Sequence, residues 1–160
     1  AEGIVLPGVG AFRVGMEQLA AMRQGITDAA RSVPVLGICL GMQLLTLSSE
    51  EGTCAGLGWI PARAIRFPTS NGLKVPHMGW NHVTQHTQSP LTEGFSEEAR
   101  FYFVHSYYVK AEDEKHSILK TEYGLSFDSA IQMDNIMGVQ FHPEKSHRFG
   151  KKLLANFARL

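Results

Sequence analysis

The residues best placed to do chemistry begin with Cys39, which stands in Gly37-Ile38-Cys39-Leu40-Gly41. An apolar run over 33–38 reads as a buried strand, and Leu40, Leu44, Leu45 and Leu47 place a helix directly after the cysteine. A nucleophile between two such glycines is the elbow in which a tight strand-to-helix turn leaves the side chain proud of the sheet. At a helix start the dipole and the free N–H groups, that of Leu40 first, favour a thiolate and can hold an oxyanion. Taken alone, the pattern fits equally a cysteine packed as a small buried hydrophobe.

Near the other end stands Gly138-Val139-Gln140-Phe141-His142-Pro143-Glu144. Pro143 pushes His142 into extended chain, where residues two apart share a side, so the imidazole and the Glu144 carboxylate can meet. A base with its orienting acid is what a thiol nucleophile needs. A strand end with a solvated His and Glu is the plain alternative. A third candidate is Pro7-Gly8-Val9-Gly10, which closes the apolar run 3–6 and whose glycines allow N–H groups to be aimed into a site. It reads as readily as a simple turn.

These segments need a scaffold that brings strand ends together. Met16, Leu19, Ala20, Met22 and Ile26 predict one helix over 13–30, so the first fifty residues alternate strand and helix, as in a parallel sheet covered by helices. Beyond Gly52 strands are predicted over 62–67, 80–84, 100–109, 117–123, 127–132 and 136–141, and Phe149, Leu153, Leu154 and Phe157 form one face of a final helix. A chain of 160 residues fits one domain, residues 1–160, with a mixed sheet. In such sheets ligands collect beyond the carboxyl ends of the strands, where all three segments fall.

Composition narrows the partners. Fifteen Lys and Arg balance fifteen Asp and Glu, leaving no field to attract nucleic acid or an anionic membrane. The longest apolar run, 35–42, is too short to span a bilayer, and the opening residues lack a secretory pattern, so a cytoplasmic protein is expected. Cys39 and Cys54 are the only cysteines, and a disulfide is not expected. His77, His82 and His86 look like a cluster, but the odd spacing of the first pair separates them on a strand and no ligand set is completed, so no metal is expected.

Taken together, the three segments resemble the class I, or triad, glutamine amidotransferases, in that family's order and across essentially the whole chain. The resemblance implies an α/β fold, flavodoxin-like, with a mixed, mostly parallel sheet and helices on both faces. It implies a catalytic triad of Cys39, His142 and Glu144, with Gly8, Val9, Gly10 and Leu40 around the oxyanion. It also implies L-glutamine contacts from Gln43, Glu51, Ser106 and Tyr107, and no cofactor. Leu6 to Phe12, Pro76 to Asn81 and His105 to Tyr107 are similar to the histidine-pathway branch, in which the glutaminase forms a heterodimer with a cyclase/synthase subunit, a HisF-like (β/α)8 barrel. There Trp80, Asn81 and Lys145 would face the partner. Ser146 to Gly150 and Phe101 to Tyr108 look more like a paralogous branch that aminates a sugar for surface polysaccharide. The family's first strand, Gly-Asn loop and helix have no counterpart before Gly3, so the chain is expected to be N-terminally truncated. A cysteine peptidase or redox protein with a similar elbow, and a silent partner-binding scaffold, are the rival readings.

Overall fold

The computed structural model describes residues 2–160. In chain order the elements are β1 (Ile4–Leu6), α1 (Phe12–Leu19), α2 (Arg23–Ala29), β2 (Val35–Ile38), α3 (Leu40–Leu44), β3 (Ser48–Ser49), β4 (Ala62–Arg66), β5 (His77–His82) and β6 (Thr84–Gln85). There follow β7 (Arg100–His105), β8 (Tyr107–Ala111), β9 (Ser117–Glu122), β10 (Ser126–Met133), β11 (Ile136–Val139) and α4 (His147–Ala158). The main sheet runs β1-β2-β11-β10-β8-β4-β3, with β9 and β6 branching from β10, while β5 and β7 form a separate ribbon.

Strand alternation puts one set of side chains on each face of the sheet. Val35, Ile131 and Ile136 join Phe12, Met16, Leu40 and Leu44 in one core; Leu36, Ala130 and Met137 join Phe101, Phe127, Phe141 and Leu153 in the other. Helices α1 and α3 therefore cover one face and α4 the other, the α/β architecture expected. Parallel pairing is confined to β1–β2, β2–β11 and β3–β4, and the remaining pairs are antiparallel. The expected parallel majority is thus a parallel minority, because short turns such as Asp134-Asn135 between β10 and β11 can join only antiparallel neighbours.

Two elements depart from the sequence expectation for a physical reason. The single helix over 13–30 is two: α1 buries Phe12, Gly15, Met16 and Leu19, whereas α2 has no fully buried residue, with Ile26 only partly buried against the core, and Met22 is exposed. With the buried face interrupted, the chain turns after Leu19, whose carbonyl accepts the Met22 N–H. The single strand over 100–109 breaks at Ser106, where the chain leaves the ribbon with β5 and enters the main sheet beside β4.

The ribbon carries a buried pair of imidazoles. His77 stacks between Phe103 and Tyr123, with Phe67 and Phe127 at its edges, and its Nδ1 lies 2.9 Å from His105 Nε2. Burial lowers the pKa of His77 to about 4 and of His105 to about 3. Unfolding lets both rings take a proton near pH 6.5, so the unfolded chain binds more protons than the folded one below that pH. Stability should be complete above about pH 6.5 and fall toward pH 4, by up to about 1.4 kcal/mol per pH unit for each ring. Urea midpoints at pH 7, 6 and 5 measure this directly, and equal midpoints would contradict it.

Candidate active site

Strands β1, β2 and β11 are adjacent and parallel, and their carboxyl ends deliver Gly8, Cys39 and His142 to one place. The elbow is strained: Cys39 has φ 54° and ψ −110°. Its glycines are required by contact. A Cβ on Gly41 would lie 1.7 Å from the Leu6 carbonyl oxygen, and one on Gly37 would lie 2.6 Å from that of Gly41. The tight packing of α3 onto β1 and β2 therefore holds the thiol in place.

His142 is clamped by backbone. Its N–H donates to the Tyr102 carbonyl at 2.9 Å, its carbonyl accepts the Ser146 hydroxyl at 2.6 Å, and that hydroxyl accepts the Tyr102 N–H at 3.0 Å. Nδ1 lies 2.5 Å from Glu144 Oε1, so Nδ1 carries the proton and Nε2 is left to accept. Nε2 is buried with no hydrogen-bond partner, while the Cys39 thiol is directed at the Val104 carbonyl, 3.8 Å away. No hydrogen bond joins Cys39 to His142.

The sequence suggested that the helix start would favour a thiolate. Burial outweighs it: desolvation pushes the Cys39 thiol up to about 11, against the opposing pull of the Leu40 N–H and the Gln140 amide. The Leu40 N–H is itself occupied, donating to the Gly8 carbonyl at 3.3 Å. In a trans peptide the carbonyl and the next N–H point in opposite directions, so the Val9 N–H faces away from Leu40. Val9 is exposed and Gly10 sits at φ 106°.

A cleft of about 460 Å³ opens over Cys39, lined among others by Val9, Gly10, Gln43, Glu51, Ser106 and Tyr107. A larger groove of about 660 Å³ lies elsewhere, beside Trp80, Arg100 and Phe149; neither lining includes His142 or Glu144. Gln43 is buried, and its amide nitrogen is already committed to the Tyr107 carbonyl at 3.3 Å and Gln140 Oε1 at 3.1 Å, leaving its oxygen for a ligand. Glu51 accepts the Phe12 N–H at 2.7 Å, fastening the start of α1 to the far wall of the cleft. Trp80 is exposed and stacks on His147, ring centroids 5.6 Å apart, and Lys145 reaches over Tyr102. The Asn81 amide turns inward, to His77 and the Glu122 carbonyl.

Two site residues escaped the sequence reading, Gln140 and Ser146. Gln140 Nε2 lies 3.6 Å from Cys39 Sγ. The two-residue spacing that pairs Glu144 with His142 would also have drawn notice to Gln140. Among the described residues no cluster of three His, Cys, Asp or Glu is placed to hold a metal, and both cysteines are free thiols.

A strained cysteine elbow and a carboxylate-held histidine stand at the ends of neighbouring parallel strands, and the family model Glutamine amidotransferase class-I matches residues 1–160; the chain belongs to that family. Within it the similarity is narrower. The chain is 53% identical over 163 residues to the imidazole glycerol phosphate synthase subunit HisH of Sulfurimonas denitrificans, covering 98% of this chain and 78% of that one. It is 51% identical over 162 residues to subunit HisH 2 of Methanococcus maripaludis, covering 98% and 79%. Among solved structures, PurLQS from Thermotoga maritima superposes with a TM-score of 0.72 at 21% identity, covering 99% of this chain and 79% of that one, a likeness of fold.

The raised thiol pKa gives a measurable profile. Alkylation of Cys39 should keep rising about tenfold per pH unit from 7 until it approaches 11, since only the thiolate reacts. A plateau by about pH 9 on the Cys39 peptide would contradict the buried resting thiol.

Proposed function

We propose that this chain is the glutaminase subunit of an imidazole glycerol phosphate synthase. In this reading it hydrolyses L-glutamine to glutamate and ammonia, and the ammonia passes to a cyclase subunit that makes imidazole glycerol phosphate and AICAR in histidine biosynthesis. The observation that carries the reading is the cleft holding Cys39, Gln43 and Glu51 at the elbow, in a chain about half identical to HisH subunits. The partner is a HisF-like (β/α)8 barrel in a heterodimer, seated against Trp80 and Lys145, and the complex is cytoplasmic.

Glutamine enters with its amide carbon over Cys39 and its amino group toward the Glu51 carboxylate. Cys39 Sγ attacks that carbon as His142 Nε2, bare and unpartnered, takes the thiol proton. The same imidazole protonates the departing nitrogen, and ammonia leaves a γ-glutamyl thioester. His142 then deprotonates a water that attacks the thioester, giving glutamate and restoring the thiol. Glu144 keeps the proton on Nδ1 and stabilises the imidazolium.

The oxyanion needs donors that the resting arrangement withholds. Turning the Gly8–Val9 peptide plane, which the glycines on either side of Val9 permit, would release the Leu40 N–H and present that of Val9. Losing one such donor costs on the order of a hundred- to a thousand-fold in rate, so this turn is an off switch for a partner to throw.

A second reading, ammonia supply for amination of a sugar, is favoured by one observation. His147, at φ 49°, stacks on Trp80 within the segment that departs from the histidine-pathway pattern. Glutamate release should rise at least about tenfold when a HisF-type cyclase loaded with its acceptor is added, since one oxyanion donor supplies at least that much. Cys39→Ala should abolish glutamine-dependent synthesis while added ammonium salts still support it. No stimulation by the cyclase would remove the histidine-pathway reading, and retained glutamine use by Cys39→Ala would remove the nucleophile assignment.

A further inference from the structure

The buried imidazole pair and the unexpected Gln140 lie on two polar paths that meet at one acceptor, the Tyr107 carbonyl, and the direction of each follows from backbone carbonyls. A carbonyl oxygen only accepts. His105 Nδ1 lies 2.8 Å from the Tyr107 carbonyl, so His105 carries its proton on Nδ1. Both rings are neutral near pH 7, and each therefore has a single ring proton. His105 Nε2 is then bare, and the nitrogen 2.9 Å from it, His77 Nδ1, must be the donor. This leaves His77 Nε2 bare, and it accepts from Asn81 Nδ2 at 3.1 Å. The Asn81 orientation is fixed in turn, because Nδ2 also donates to the Glu122 carbonyl at 2.9 Å and Oδ1 accepts the His82 N–H at 2.8 Å.

The second path ends on the same Tyr107 carbonyl, independently of the imidazoles. Gln43 Nε2 donates to it at 3.3 Å, so the atom of Gln43 that faces Gln140 is nitrogen, and the atom of Gln140 that receives it at 3.1 Å is oxygen. The Gln140 amide nitrogen is thereby forced toward Cys39 Sγ, 3.6 Å away. Gln140 is fully buried, its backbone N–H tied to the Ser129 carbonyl at 2.9 Å, so no water competes for the bond. Flipping any one member would set donor against donor or acceptor against acceptor in a buried site.

We propose that Gln140 is a catalytic residue that donates a hydrogen bond to the Cys39 thiolate, and that Gln43, held by the Tyr107 carbonyl, is the positioning residue that orients it. The value of this bond lies in the dryness of the site: a sulfur anion forming there has few donors to replace water. The proposal rests on Cys39 being the glutaminase nucleophile, but its test uses no glutamine.

One measurement decides it, the rate at which iodoacetamide alkylates Cys39 at pH 8, followed on the Cys39 peptide so that Cys54 does not contribute. Gln140→Leu removes the donor, and Gln140→Glu keeps the shape of the side chain while replacing the amide nitrogen by an acceptor. A hydrogen bond to a charged group corresponds to about tenfold, so both variants should react at least about three times more slowly. Loosened packing would expose the thiol and speed alkylation, so a slower rate separates orientation from structural damage. An unchanged or faster rate in either folded variant overturns the proposal. If one of the two variants does not melt cooperatively, the other decides alone. A chain that fails here yet releases glutamate leaves the glutaminase reading standing, and one that passes without glutaminase activity does the reverse.

Discussion

The contact between Gly41 and the carbonyl of Leu6 is the constraint from which the site follows. No side chain fits there, since a Cβ would sit 1.7 Å from that oxygen. The absence of one lets α3 start directly on the end of β1, which forces Cys39 into its positive-φ turn and lifts the thiol above three parallel strands. Gly138 and Gly150 serve the same end, allowing Met42 to lie on β11 and α4 to close against the carbonyl of Pro143. Side-chain volume is removed where elements must touch, and the reactive groups occupy the space above.

Burial raises the Cys39 thiol to about 11, and no protein atom among the described residues hydrogen-bonds to His142 Nε2. Desolvation exceeds the stabilisation from a single backbone N–H and one amide, so the thiol keeps its proton. The same dryness strengthens any donor that reaches the sulfur, because an interior hydrogen bond is screened less than one in water. The Gly8 carbonyl occupying the Leu40 N–H belongs to the same economy: the chain satisfies its polar groups internally until a substrate or partner offers a better arrangement.

Much of this was legible in the sequence because the reactive residues are punctuated locally. Glycines flank Cys39, and Pro143 separates His142 from Glu144, so spacing alone suggests an elbow and a base with its orienting acid. The strands on which they sit are short apolar runs that periodicity finds. What was hidden depends on distant pairing. Gln43 meets Tyr107 and Gln140 only because β8 and β11 arrive beside α3, and no local pattern announces that. The break at Ser106 reflects a change of sheet within an unbroken run of strand formers, and the end of α1 at Leu19 reflects the interruption of its buried face. The thiol's acidity was misjudged for a related reason: a helix start can be read from residues, whereas the depth of burial cannot.

The central claim is that Cys39 carries the glutamyl group during turnover. Quenching the complete synthase in acid while it consumes glutamine, followed by mass spectrometry of its peptides, tests this directly. The account predicts one γ-glutamyl thioester, confined to the peptide containing Cys39 and lost on treatment with hydroxylamine. An adduct on Cys54, or its absence from Cys39 during steady glutamine consumption, would contradict it.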